Sequence, residues 1–231
     1  MIVIGGMIGI GKTTAAKMIS KELGIPVFYE SVKDNRILPL FYTASKEDQE
    51  KYRYPFLLQL NFLCTRYHAI KEALKSNNAV MDRSIYEDHY FAKKNHDLGR
   101  ISDVEMDLYS DLLKEMMEEI KGMPKKAPDV MVYLKGSFET VLKRIRLRGR
   151  NFELDQSLVD YYKFLWDGYD DWVYKSYSAS PVITIDVDKT SINDNPSDKK
   201  KLLDELRTDL LQSGSHQPLE KGLRKETFYC A

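Results

Sequence analysis

Cysteine is scarce in this chain: Cys64 and Cys230 are the only two in 231 residues. One lies in an apolar stretch and the other beside the last residue, so they frame no disulfide scaffold and suit a reducing cytoplasm. Long apolar runs are missing too. None approaches the roughly 18 residues that a membrane-spanning helix needs. Net charge is also absent, with 35 basic against 35 acidic residues. Composition therefore gives no basic face for nucleic acid, and any anion must be met by a local cluster. The chain lacks internal repeats and low-complexity tracts. An apolar run begins within the first residues and glycines follow at once, which leaves no room for a secretory leader in this sequence. What remains, 43% hydrophobic and 30% charged, has the composition of a globular protein with one large domain.

Short apolar runs alternate with longer stretches of helical periodicity, the signature of parallel strands joined by helical crossovers. Strands are predicted over 1–5, 26–29, 79–82, 130–134 and 182–186, and helices over 12–23, 50–76, 86–95, 103–121, 138–148, 158–177 and 199–212. Ser84 and Glu87, like Ser102 and Glu105, have the spacing of a capping box and mark helix starts. Gly24 stands where a helix stop wants a left-handed residue. The expected fold is a three-layer α/β domain over 1–212 with a five-stranded parallel sheet. From Ser213 the periodicity stops, and 213–231 reads as a tail outside the domain.

Between the first strand and first helix runs Gly6-Met7-Ile8-Gly9-Ile10-Gly11-Lys12-Thr13, followed by Thr14. This is the G-x-x-x-x-G-K-[ST] pattern in its proper strand-to-helix context. Glycines at 6, 9 and 11 let the backbone wrap closely, so successive N–H groups face phosphate oxygens at a positive helix end. Lys12 is placed to bridge the transferred phosphate and its neighbour, and the Thr13 hydroxyl to help hold Mg²⁺. The expected ligand is a nucleoside triphosphate.

Three further groups sit near predicted carboxyl ends of strands, where ligands gather in such sheets. Glu30 ends the second strand and can accept a proton from an attacking hydroxyl. Asp82 and Arg83 follow the third. Asp82 is placed to order Mg²⁺, directly or through water, and Arg83 to neutralise charge on the transferred group. Arg144, Arg148 and Arg150, with Arg146, converge where a helix breaks at Gly149. An arginine-rich lid over about 148–155 would close on the triphosphate and exclude water.

Taken together, the phosphate loop, Tyr29-Glu30-Ser31, Asp82-Arg83-Ser84-Ile85-Tyr86-Glu87-Asp88 and Arg148-Gly149-Arg150-Asn151-Phe152-Glu153 resemble the deoxynucleoside kinase family over about 1–212. Bacterial deoxyadenosine/deoxyguanosine kinases are the nearest resemblance. It implies a P-loop kinase that moves the ATP γ-phosphoryl group to the 5′-hydroxyl of a deoxynucleoside, with Mg²⁺, as a dimer of identical or related chains. It also implies roles that the residues alone do not announce. Gln59 matches the glutamine that bonds the base, Arg66 and Asp88 the charged pair at the base edge, and Tyr42 and Glu153 the pair that grips the sugar 3′-hydroxyl.

Two rival readings share these residues: a nucleoside monophosphate kinase of the thymidylate kinase type, and a non-catalytic nucleotide-binding subunit. The first would need a cationic grip on the acceptor's phosphate, and the second-strand motif carries Glu30 instead. No metal-ligand spacing links His68, His89, His96 and His216. The aromatic run from Tyr161 to Tyr177 recurs at helical intervals and reads as core or subunit interface, not as a stacking platform for nucleic acid.

Overall fold

The computed structural model describes residues 1–32, 34–76, 78–121 and 127–212; the tail predicted over 213–231 lies outside the described residues. Five strands form one parallel sheet: β1 (Ile2–Gly6), β2 (Val27–Phe28), β3 (Val80–Asp82), β4 (Val130–Lys135) and β5 (Val182–Asp186). Their order is β2-β3-β1-β4-β5. Ile4 pairs with Asp82 on one side and with Val132 on the other. Every residue of β1 is buried, as expected for the central strand of a sheet covered on both faces.

Successive strand residues point to opposite faces, and this period of two divides the core. Ile2, Ile4, Val80, Val130 and Val132 pack on one face with Ala15, Ala16 and Ile19 of α1 (Lys12–Leu23), Val141 and Ile145 of α7 (Phe138–Arg148), and Leu202 and Leu206 of α10 (Pro196–Gln212). Val3, Met81 and Met131 pack on the other with Leu63 and Ile70 of α4 (Tyr54–Ala73), Ala92 of α5 (Ile85–Asp97), and Tyr109 and Ile120 of α6 (Asp103–Lys121). The result is the expected three-layer α/β fold. No helix among the described residues is long and apolar enough to cross a membrane.

The strand expectations hold to within a residue or two at each end, and α1, α6 and α7 hold at both ends. Two helical expectations need correction, and one helix is additional. The helix predicted over 50–76 is two helices, α3 (Lys46–Lys51) and α4, because Arg53 takes the left-handed conformation (φ 54°) and Pro55 starts the next helix. Bonds from Arg53 to Glu105 hold that break. The helix predicted over 158–177 is interrupted at Gly168, leaving α8 (Val159–Asp167), a short α9 (Tyr169–Asp171) and a π turn (Trp172–Ser176). Finally, α2 (Ile37–Thr43) was not anticipated. The Asn35 side chain caps it, accepting from the Ile37 and Leu38 N–H groups at 3.0 Å each.

Candidate active site

The sheet order reverses at β1, and a cleft of about 670 Å³ opens beyond the carboxyl ends of β1, β2 and β3. The phosphate loop forms its floor. Gly9 has φ 79°, and a Cβ there would stand 2.6 Å from Ile145 Cγ1 and 3.2 Å from the Ile145 backbone nitrogen. A side chain at position 9 would therefore drive the loop off α7. Lys12 folds back and donates to the Gly6 and Met7 carbonyls at 2.8 and 2.9 Å. Burial and the nearby Arg83 charge lower its pKa to about 7, against the opposing pull of Glu30, Glu87 and Asp82.

Thr13 Oγ1 donates to Asp82 Oδ2 at 2.5 Å, while Asp82 Oδ1 is buried with no protein partner. Burial raises the Asp82 pKa and the Glu30 charge adds to the rise, with Lys12, Thr13 and Arg66 pulling the other way. A buried carboxylate oxygen without a donor, beside a threonine hydroxyl, suits a hard cation that takes oxygen ligands. Among the described residues no set of three or more His, Cys, Asp or Glu side chains converges, so phosphate and water oxygens would complete such a shell.

Glu30, half-buried at the cleft wall, accepts from Arg83 Nε at 2.8 Å and from an Arg66 Nη at 3.1 Å. Burial alone would raise its pKa. Arg83, Arg66 and Lys12 outweigh that and hold it at about 2. Arg83 is one of two non-glycine residues with positive φ among those described (79°), and its guanidinium lies 4.6 Å from the centre of the Phe91 ring. Such strain persists only where surrounding bonds enforce it, and it clusters at functional sites. Arg66 is a junction behind the cleft wall: it donates to Asp88 at 3.0 Å, to the Asp82 carbonyl at 2.7 Å, and to Glu30. Burial raises the Asp88 pKa, and the Arg66 contact works against that rise.

Gln59 is buried beside Asp88 on the cleft lining, and its Oε1 has no hydrogen-bond partner in the protein. Tyr42 of α2 stacks on Phe152 at 5.7 Å, which sets it next to Glu153. Glu153 is buried and accepts from Arg148 and from Arg150, the latter at 3.2 Å. Thus the predicted site residues share one cleft, with three qualifications. Gly6 does not line it, and its N–H is taken by Glu87 and the Tyr169 hydroxyl, not left for phosphate. Arg66 lies behind the lining, reaching it through Asp88 and Glu30. Arg144 does not line it either; it donates to the Ile10 carbonyl and so braces the phosphate loop from the side of α7.

Glu87 and Tyr169 are the residues that sequence reasoning passed over. Capping-box spacing explained Glu87 fully: it does accept from the Ser84 N–H at 2.9 Å. The same carboxylate also reaches the Gly6 N–H, Arg83 and Tyr169. Nothing marked Tyr169 out from the aromatic run around it.

A phosphate-cradling loop, a strand-end carboxylate ringed by cations and a neighbouring pocket for a second substrate define a P-loop kinase. Residues 2–212 match the deoxynucleoside kinase family, and the chain belongs to that family. It is 45% identical to the deoxyguanosine kinase of Lactobacillus johnsonii over 220 residues, 94% of this chain and 95% of that protein. It is 41% identical to the deoxyadenosine kinase of Lactobacillus acidophilus, over 93% and 98% of the two chains. Among solved structures, that of deoxyadenosine kinase from M. mycoides with bound dCTP superposes with a TM-score of 0.73 at 27% identity, covering 90% of this chain and all of that one.

Proposed function

We propose that this chain transfers the γ-phosphoryl group of ATP to the 5′-hydroxyl of a purine deoxynucleoside, deoxyguanosine or deoxyadenosine, with deoxycytidine a further acceptor. The observation that carries the reading is Glu30 lining the same cleft as Lys12, near enough for their charges to act on each other, with the arginines beside Glu30 already matched by acids. Arg66 is met by Asp88 and Glu30, and Arg83 by Glu30 and Glu87. An acceptor bearing a phosphate would bring its charge against Glu30, where Arg66 and Arg83 are already engaged by acids, which argues against a monophosphate kinase.

In this reading the loop N–H groups of residues 11 to 14 and Lys12 take the β- and γ-phosphates, with Arg148 and Arg150 closing from above. Thr13 and Asp82 would hold Mg²⁺, whose positive charge would offset that of the phosphate oxygens. Glu30 accepts a hydrogen bond from the 5′-hydroxyl and so orients a lone pair of the hydroxyl oxygen toward phosphorus. A carboxylate with a pKa of about 2 is too weak a base to strip an alcohol beforehand. In a loose transition state it need not, because the hydroxyl becomes acidic only as the new O–P bond forms, and Glu30 receives the proton late. Arg83 neutralises charge on the moving group. Tyr42 and Glu153 grip the 3′-hydroxyl.

At the base edge Asp88 offers an acceptor and Gln59 both a donor and an acceptor, while Arg66 holds Asp88 from behind. Thymine would set its O4 against the Asp88 carboxylate, a buried mismatch worth about 1–3 kcal/mol. Purines are favoured by the 45% and 41% identity to a deoxyguanosine and a deoxyadenosine kinase. One panel tests the reading: purified chain and labelled ATP against four deoxynucleosides and their monophosphates. Turnover of purine deoxynucleosides at least tenfold above thymidine is expected. Phosphorylation of the monophosphates alone, or no turnover by the isolated chain, overturns it in favour of one or other rival. We place the reaction in the cytoplasm, where ATP is the ready donor, and assign the chain to a dimer through the exposed apolar stripe of α4 and α6.

A further inference from the structure

Beneath the cleft lies a buried polar cluster that the transfer itself does not use. Glu87 is 0% exposed. Its Oε1 accepts from the Gly6 N–H at 3.1 Å, from Arg83 Nη1 at 3.3 Å and from the Tyr169 hydroxyl, while its Oε2 accepts from the Ser84 N–H and hydroxyl at 2.9 and 3.2 Å. Tyr169 is a second partner for Gly6, whose N–H also donates to the phenol oxygen at 3.0 Å. Burial, then the Glu87 charge, pushes the Tyr169 pKa well above its ordinary value, so the phenol keeps its proton and donates.

The chain takes unusual measures to put that hydroxyl there. At Gly168 the helix breaks, and a Cβ at this point would stand 3.1 Å from the packed Tyr90 hydroxyl, besides displacing the yielding end of Lys94. A single π turn follows after the three residues of α9, and such turns are frequent at functional sites. Between these irregularities the Tyr169 ring stacks on Tyr133 at 5.6 Å and meets Tyr90 and Trp172 edge-on at 5.1 and 5.5 Å. Its direction is therefore fixed by packing, and its oxygen has one place to go.

Two lines of force leave this cluster. Gly6, pinned through its N–H, presents its carbonyl to Lys12 at 2.8 Å. Arg83, held at one edge by Glu87, presents Nε to Glu30 at 2.8 Å. We infer that Glu87 and Tyr169 are positioning residues for phosphoryl transfer, setting Lys12 and Glu30 at a fixed separation by locking Gly6 to Arg83. Neither touches a substrate. Their effect belongs to the transition state, where small misplacement of charged groups is felt most. The inference rests on the phosphotransfer reading above.

Tyr169→Phe is the main test, since it removes one oxygen and keeps the ring packing; Glu87→Gln is the second variant. For Tyr169→Phe we expect kcat to fall about tenfold while both KM values and the Kd for ADP stay within twofold. Affinity for ADP with aluminium fluoride and deoxynucleoside, a mimic of the transferring group, should fall by a similar tenfold. The double variant should be no slower than Glu87→Gln alone, because both act through one unit. Wild-type kcat in Tyr169→Phe overturns the inference. So does an equal loss of ADP and mimic affinity, or unfolding below the assay temperature, since either would make the pair structural. A wild-type chain that phosphorylates no deoxynucleoside instead sinks the reading beneath it, and that measurement comes first.

Discussion

Glu30 is a carboxylate whose charge the surrounding residues defend, with Arg83 and Arg66 on it and Lys12 close by. Its value lies in that fixed charge and aim. Glu30→Gln keeps the shape and loses both the charge and the final proton acceptor. We expect kcat to drop by about 10²-fold or more with ADP affinity unchanged, read by steady-state turnover beside nucleotide titration. Near wild-type turnover would remove Glu30 from the reaction. Lys12 makes a prediction of its own. Its pKa in the free protein is lowered to about 7, so the charged form dominates below that pH and is lost above it. Bound phosphates restore the charge. Since kcat/KM reports the free protein and kcat the complex, kcat/KM for ATP should decline as pH rises through about 7 while kcat holds. The same linkage requires uptake of a proton when MgATP binds at pH 8, measurable by calorimetry in buffers of different ionisation enthalpy. A pH-independent kcat/KM from 6 to 9 would rule out the lowered value.

At the scale of elements, what could be read in advance was what glycine, serine and apolar periodicity punctuate. α1 and α7 hold at both ends because Gly11 and Gly24, or Ser137 and Gly149, bound them chemically. The break before α4 was hidden because an arginine, not a glycine, takes the left-handed turn there, and its hold comes from Glu105, 52 residues away. α2 was hidden because it is seven residues long with Pro39 inside it. The site divides the same way. The phosphate loop is a contiguous spacing and was plain. Arg66 meeting Glu30 spans 36 residues and Tyr169 meeting Glu87 spans 82, and no local pattern encodes such meetings. Tertiary fit also explains why Gly9 admits no other residue, since it is α7 that crowds it. Gly9→Ala must shift the loop against the Ile145 backbone as well as its side chain. KM for ATP should rise at least tenfold, with stability lower by about 1–3 kcal/mol in urea unfolding. An unchanged KM would show that the loop and α7 are not rigidly joined.

Across the whole molecule the charges cancel, yet the apolar surface does not vanish. Along α6, Val104, Leu108 and Leu112 recur every four residues and are 78%, 50% and 37% exposed. α4 runs beside it in the same direction, tied by Arg53 to Glu105 near one end and by Lys71 to Glu119 near the other, and adds Leu57 at 38%. Single exposed leucines need no explanation; a stripe along one helix, widened by its neighbour, is the mark of a surface that meets a partner. Full burial of a Val or Leu stabilises by about 1.5–3 kcal/mol, and each of these side chains would gain the share of that still exposed; a second copy of the same stripe can cover it by two-fold symmetry. Leu108→Glu sets a charge in the middle of that contact, where it would be desolvated without a counter-charge. Sedimentation should give the wild type at twice the chain mass of 26.9 kDa and the variant at the chain mass itself. Because Leu108 does not line the cleft, its kcat should stay within about threefold of wild type. A wild-type chain that sediments as a monomer at micromolar concentration would refute the homodimer, and would leave a related chain as the partner to seek on that face.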